Sequence, residues 1–109
     1  MSNWRVYDYE RDCLRIPTSG GVYAIYGDGE LIYIGESDSV RRRLSSHRIR
    51  YSYSNYIITP WGNFQAVKIK VRCCQRFAEW AMIERRLIRR LMPPANTKGT
   101  GRQRRRAYA

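Results

Sequence analysis

No stretch of the chain is long and apolar enough to cross a bilayer, and Met1-Ser2-Asn3-Trp4-Arg5 lacks the apolar run of a secretory leader. Acidic residues are scarce: 9 Asp and Glu stand against 21 Lys and Arg, a formal charge of +12. A 109-residue chain with that excess repels its own kind and attracts polyanions. Nucleic acid is the first candidate partner, although an anionic membrane surface or an acidic protein satisfies the same arithmetic. Cysteine is thin and poorly spaced for metal. Cys73 and Cys74 adjoin, Cys13 lies far from them, and no CxxC occurs. Zinc is therefore disfavoured, and reduced thiols fit a cytoplasmic location.

What the chain does have is enough apolar material for one core. Hydrophobic residues make up 43% of it and charged ones 28%, which excludes disorder by composition. Residues 1–96 read as a single domain, and residues 97–109 as a basic tail that is mobile in the free protein. The first 18 residues read as a polar and aromatic lead-in. Gly20 to Tyr26 and Leu31 to Gly35 are β-branched and aromatic runs around Gly27-Asp28-Gly29, the signature of a hairpin. Ser37-Asp38-Ser39 offers N-cap chemistry for a helix from about Val40 to Ile49. Pro60-Trp61-Gly62-Asn63 is a turn, and Phe64 to Arg72 alternates as a half-buried strand does. A longer helix runs from about Ala78 to Met92 and stops at Pro93-Pro94. The order β-β-α-β-α makes an α+β sandwich of a small antiparallel sheet flanked by helices.

Helical projection isolates one acid. Phe77, Trp80, Ala81, Leu87, Ile88 and Leu91 share a stripe with Glu84 at its middle. A carboxylate on an apolar face costs several kcal/mol unless it is paired, protonated or bound to a cation. A structural ion pair is the plain explanation, and a hard-metal ligand at the floor of a cleft is the sharper one. The shorter helix puts Val40, Leu44 and His47 on one face with Arg43 at its margin. An arginine one turn before an imidazole can hold a phosphate oxygen beside a proton-transfer group, though a solvated basic helix explains the same pattern.

The hairpin tyrosines depend on the turn. A two-residue Asp28-Gly29 loop pairs Tyr26 with Leu31 and sends Tyr23 and Tyr33 to opposite faces. A three-residue loop pairs Tyr26 with Glu30 and brings both rings to one face. A catalytic role for both therefore predicts the longer loop, with Gly29 left-handed.

Gly21-Val22-Tyr23, Tyr33-Ile34-Gly35, Arg43-Leu44 and His47 together resemble the paired motif of the GIY-YIG nuclease superfamily. Glu84, Leu87-Ile88, Pro93-Pro94 and Asn96 are similar to its glutamate helix and proline-asparagine exit. The nuclease domain of the bacterial excision-repair incision subunit and phage intron homing endonucleases carry both blocks. The resemblance implies an endonuclease that hydrolyses DNA phosphodiester bonds with one divalent ion, Mg2+ or Mn2+, on Glu84. It implies that Arg43 holds the scissile phosphate and that Tyr23 or Tyr33 positions or deprotonates water with help from His47. Gly35 would allow close packing and Asn96 would brace the site. One departure is Glu36, where the repair-subunit domain has lysine. No role is assigned to it.

Arg41, Arg42, Arg48, Arg85, Arg89, Arg104, Arg105 and Arg106 are expected to track a double-stranded or branched DNA backbone. Tyr51, Tyr53 and Tyr56 would stack on unpaired bases or pack a loop. With no DNA-binding domain appended, a homodimer or a protein partner would supply specificity. A phage or mobile element is a fitting source for such a gene. The rival readings are a non-cleaving nucleic-acid-binding module on the same fold and a basic RNA-packing protein.

Overall fold

The computed structural model describes residues 4–51, 56–73 and 77–96. Its first elements lie in the lead-in, where the sequence suggested none: strand β1 (Arg5–Asp8), the single-turn helix α1 (Tyr9–Asp12) and a 3-10 turn (Cys13–Arg15). Asp8 caps α1, its carboxylate accepting the Glu10 N–H at 3.2 Å. The hairpin follows as β2 (Gly21–Gly27) and β3 (Glu30–Ser37), then α2 (Val40–Ser46). Three short strands, β4 (Arg50–Tyr51), β5 (Ile57–Thr59) and β6 (Gly62–Phe64), precede β7 (Val67–Cys73) and α3 (Phe77–Leu91). The main sheet is antiparallel in the order β1-β7-β2-β3, and β4-β5-β6 form a second, three-stranded sheet. The expected α+β sandwich is present with these additions. No helix among the described residues is long and apolar enough to cross a membrane.

Each face of the main sheet has its own core. Tyr23, Ile25, Ile69 and Val71 pack with Val40 and Leu44 of α2, Ile49 and Ile57. On the reverse face Val22, Ala24 and Ile34 meet Trp80, with Ile83, Leu87 and Ile88 of α3 against them. Burying each such side chain contributes roughly 1.5–3 kcal/mol relative to exposure. The helical projection needs one correction. Leu91, the last residue of α3, stays half exposed over a groove lined by Trp4, Leu31 and Leu87, and Ile83 joins the packing instead.

The turn of the hairpin also corrects the sequence reading. Gly27 pairs with Glu30 and Tyr26 with Leu31, so the loop is the two-residue Asp28-Gly29, both at positive φ (49° and 86°). That is the twist-matched turn that an Asp-Gly dipeptide favours. Asp28 Oδ1 also accepts the Gln65 and Ala66 N–H groups, each at 2.9 Å, which fixes the turn to the β6–β7 connection. A two-residue loop alone would part the tyrosines. They share a face because the register shifts between Ile25 and Tyr26: Leu31 pairs with Tyr26, Tyr33 with Ile25, and Ile32 is the extra residue. A β-bulge does what a longer loop was expected to do.

The segment after α3 closes on β3. Pro93-Pro94 cannot continue the helix, and the chain turns back at Met92 (φ +47°). Ala95 N–H then donates to the carbonyl of bulged Ile32 at 2.9 Å. Asn96 brackets the next residue, its Oδ1 accepting the Ile34 N–H at 2.6 Å and its Nδ2 donating to Ile34 O at 2.7 Å. Asn96→Ala removes both bonds and leaves half-buried backbone polar groups. A loss of about 1–3 kcal/mol in unfolding free energy is expected, read from urea denaturation.

Candidate active site

α2 places two of the candidate groups. Its entry is held by Ser37 rather than by the expected N-cap side chain: Ser37 Oγ accepts the Ser39 N–H at 3.0 Å, and Ser39 makes no side-chain cap. Val40 and Leu44 are buried and fix the rotation of the helix. The helix stops earlier than expected, at Ser46, because His47 takes the C-cap and Arg48 enters the left-handed region at φ +58°. Arg43 and His47, one turn apart, thus share the flank that meets the hairpin.

There the tyrosines wait. Tyr23 is fully buried, and its Oη lies 2.8 Å from His47 Nε2. Its ring centroid is 6.1 Å from that of Tyr33, and Tyr33 is 5.2 Å from His47 in an edge-on arrangement. The Arg43 guanidinium is within hydrogen-bonding reach of both phenols. Burial, with the neighbouring Tyr33, pushes the Tyr23 phenol well above its ordinary range, and Arg43 opposes this only in part. Tyr33 moves up for the same first reason, desolvation. Hydrogen bonding to Tyr23 raises Arg43. Burial, then the Arg43 charge, pulls His47 down to about 4. Near neutral pH the imidazole is therefore uncharged, and its bond to Tyr23 joins a neutral phenol and a neutral ring.

Glu84 comes from the opposite layer. It is half-buried on α3, which packs over β3 and β2, and its charge raises both phenols. The structure thus gathers Tyr23, Tyr33, Arg43 and His47 into contact and brings the Glu84 carboxylate into electrostatic range of them. Gly35 sits between. A Cβ there would lie 2.5 Å from Tyr23 Oη and 2.9 Å from Tyr33 Cε2, and neither rigid, packed ring can yield cheaply. Gly35→Ala is expected to displace the Tyr23 hydroxyl and cut turnover by about 10²-fold, checked by single-turnover cleavage alongside a thermal melt. Glu36, opposite Val22 in the register, has one buried carboxylate oxygen without a hydrogen-bond partner. Nothing in the geometry ties it to the cluster.

One member of the cluster escaped the sequence reading. Trp61 stacks on Tyr33, with centroids 5.1 Å apart and planes 15° from parallel, and its ring lies 5.1 Å from that of His47. The only signal was a large aromatic residue in a turn, where small and polar residues are usual.

The basic residues divide. Arg41 Nε donates to Ile16 O at 2.9 Å, which ties α2 to the preceding segment. Arg42 makes an exposed ion pair with Asp38 at 3.2 Å, worth little in water and easily exchanged for phosphate. Arg48, Arg85 and Arg89 are exposed. Arg104, Arg105, Arg106 and Tyr53 lie outside the described residues, and Tyr56 is exposed.

The model of the GIY-YIG catalytic domain matches residues 19–98. UvrABC system protein C of Wolbachia sp. subsp. Brugia malayi is 32% identical over 81 residues, 73% of this chain and 13% of that protein. Its counterpart in Rhizobium johnstonii is 28% identical over 86 residues, 75% of this chain and 12% of the relative. The chain thus spans a small fraction of the length of the curated relatives it matches. Among solved structures, the GIY-YIG N-terminal endonuclease domain of UvrC from Thermotoga maritima, a point mutant bound to its catalytic divalent cation, superposes with a TM-score of 0.57 at 21% identity. The match covers 80% of this chain and 92% of that one. A second point mutant of that domain, also cation-bound, gives 0.56. A matched family model over residues 19–98, on the fold and around the cluster just described, settles the kinship: the chain belongs to the GIY-YIG family and matches its catalytic domain.

Proposed function

We propose that this domain hydrolyses DNA phosphodiester bonds with the help of a single divalent cation held by Glu84, Mg2+ or Mn2+. The observation that carries the reading is the convergence of one guanidinium, two phenols and a neutral imidazole within range of one carboxylate. The donor set fits such an ion. Among the described residues no three His, Cys, Asp or Glu side chains come together as a metal group. One hard carboxylate oxygen, with water and phosphate oxygens completing the shell, suits Mg2+ or Mn2+ and not zinc.

When bound, the cation would supply Lewis-acid stabilisation of the negative charge that develops on the phosphate and the departing oxygen. Arg43, close to both phenols, would neutralise the non-bridging oxygens of the phosphorane-like transition state, where preorganised charge counts most. The proton route follows from the Tyr23–His47 bond. A phenol held this high does not ionise first, so tyrosinate is the wrong starting state. As water attacks phosphorus, its proton can pass to Tyr23 Oη while the phenolic proton passes to His47 Nε2. The ester bond to the leaving oxygen breaks, and that oxygen takes a proton from solvent. Tyr33, close to Arg43, would orient the guanidinium and the incoming water.

Exposed arginines on α2 and α3 favour a backbone substrate without sequence readout, and affinity should fall steeply with salt. Purified protein should nick or linearise plasmid with Mg2+ or Mn2+ and stop on chelation. Binding without cleavage under every metal condition would favour the non-cleaving module. A cytoplasmic setting, read from the reduced thiols, and a dimeric or partner-assisted form belong to this proposal.

A further inference from the structure

We propose that Trp61 is a positioning residue for the reaction: presented by the β5–β6 turn, its indole sets the plane of the Tyr33 ring beside His47 and Arg43. The inference rests on the nuclease reading above and names a determinant outside the β-β-α-β-α core. Tyr33 lies just beyond the bulge in β3, where its backbone pairing with Ile25 fixes the face its ring takes but not the plane of the ring. His47 meets the ring edge-on at 70°, and Tyr23 lies tilted at 41°. Among the described residues only Trp61 stacks on its flat face, 15° from parallel. Without that wall the ring could tilt toward solvent, and its hydroxyl would leave the Arg43 guanidinium.

The turn that carries the indole is itself over-determined. Thr59 is buried, and its hydroxyl accepts the Trp61 N–H at 3.1 Å and donates to Gly62 O at 2.8 Å. Thr59 pairs with Gly62, leaving the two-residue loop Pro60-Trp61, with Gly62 at φ +139°. Pro60 fixes its own φ, and the glycine takes a conformation other residues avoid. At the next step Phe64 packs on Gly27, where a Cβ would come within 2.6 Å of the ring. The second sheet is therefore fastened to the hairpin by two aromatic rings, one of which lies against the reacting groups. A turn built only to connect strands would have no use for an indole there.

The test is a double-mutant cycle on DNA cleavage with Mg2+, using W61L and W61F in the wild-type and Y33F backgrounds. W61L is expected to lower kcat by about 10–100-fold with KM within about two-fold, and W61F to restore most of the rate. In the Y33F background, which lacks the hydroxyl to be positioned, W61L should cost less than about three-fold. If W61L does not fold in a thermal melt, T59V, which loosens the turn and keeps the indole, should lower kcat in the same direction. An equal loss in both backgrounds, a rise in KM with kcat unchanged, or full activity in T59V beside an unfolded W61L would overturn the inference. An inactive wild type would remove the nuclease reading and this one with it, whereas an active wild type indifferent to W61L would remove this one alone.

Discussion

Replacing Glu84 with alanine is expected to lower the cleavage rate by at least about 10³-fold while leaving DNA affinity within a few-fold of wild type. Among the described residues Glu84 is the acid whose charge raises both phenols, and it comes from α3, across the sheet from α2. Removing it deletes the hard oxygen that a divalent ion needs and adds no bulk. The fold should hold, because α3 is pinned by Trp80, Ile83, Leu87 and Ile88. Affinity should hold as well, since binding rests on exposed arginines. The measurement is plasmid cleavage under single-turnover conditions, beside a salt-dependent binding titration. Glu84→Asp keeps the charge and withdraws it by one methylene, so partial activity with a weaker Mg2+ dependence is expected. If Glu84→Ala cuts within about ten-fold of wild type, the assignment of this carboxylate fails.

The second large effect belongs to Tyr23→Phe. The substitution removes one oxygen from a fully buried ring and leaves its packing untouched, but it takes the partner from His47 Nε2, so a loss of about 1–3 kcal/mol in unfolding free energy is expected. Turnover should fall by about 10²–10⁴-fold, the usual scale for a positioned proton-transfer group, with KM nearly constant. The partner of this oxygen fixes the pH behaviour. His47 is held down to about 4 by burial and by Arg43, so it remains a proton acceptor well below the usual imidazole range. The acid limb of kcat/KM should therefore lie below pH 6, activity falling as the pH drops toward 4 and Nε2 takes its proton. A limb centred between pH 6 and 7 would mean that His47 is not the acceptor, or is not buried in solution. Tyr23→Phe at wild-type rate would remove the relay.

Much of this site can be read in the bare sequence, and the reasons are geometric. Arg43 and His47 are separated by one helical turn, so any helix there aligns them, and the apolar pair Val40 and Leu44 fixes which way they look. Glu84 stood out because an acid beside Trp80 and Leu87 violates the expected pattern. The tyrosines were harder. Alternation fixes faces only while the register is unbroken, and the one residue that breaks it, Ile32, is an ordinary strand residue with nothing to mark it as a bulge. The second sheet was invisible for a different reason. Strands of two or three residues, such as Arg50–Tyr51 and Gly62–Phe64, are too short to show any period. Trp61 was lost with them. β1 failed as a signal because Arg5-Val6-Tyr7-Asp8 is an edge strand with half-polar faces, and nothing local distinguishes it from a polar lead-in.

The contacts that Ala95 and Asn96 make with Ile32 and Ile34 bear on assembly as well as on the site. β3 is a terminal strand, and such strands invite another chain to extend the sheet. Here the outward amide and carbonyl of Ile34 and the carbonyl of Ile32 are already taken by the protein's own returning chain. A foreign strand cannot be added beside the Tyr33-Ile34-Gly35 segment, and growth of the sheet is steered to the β1 side. The β3 edge is thereby kept from sticking to neighbouring copies of the chain.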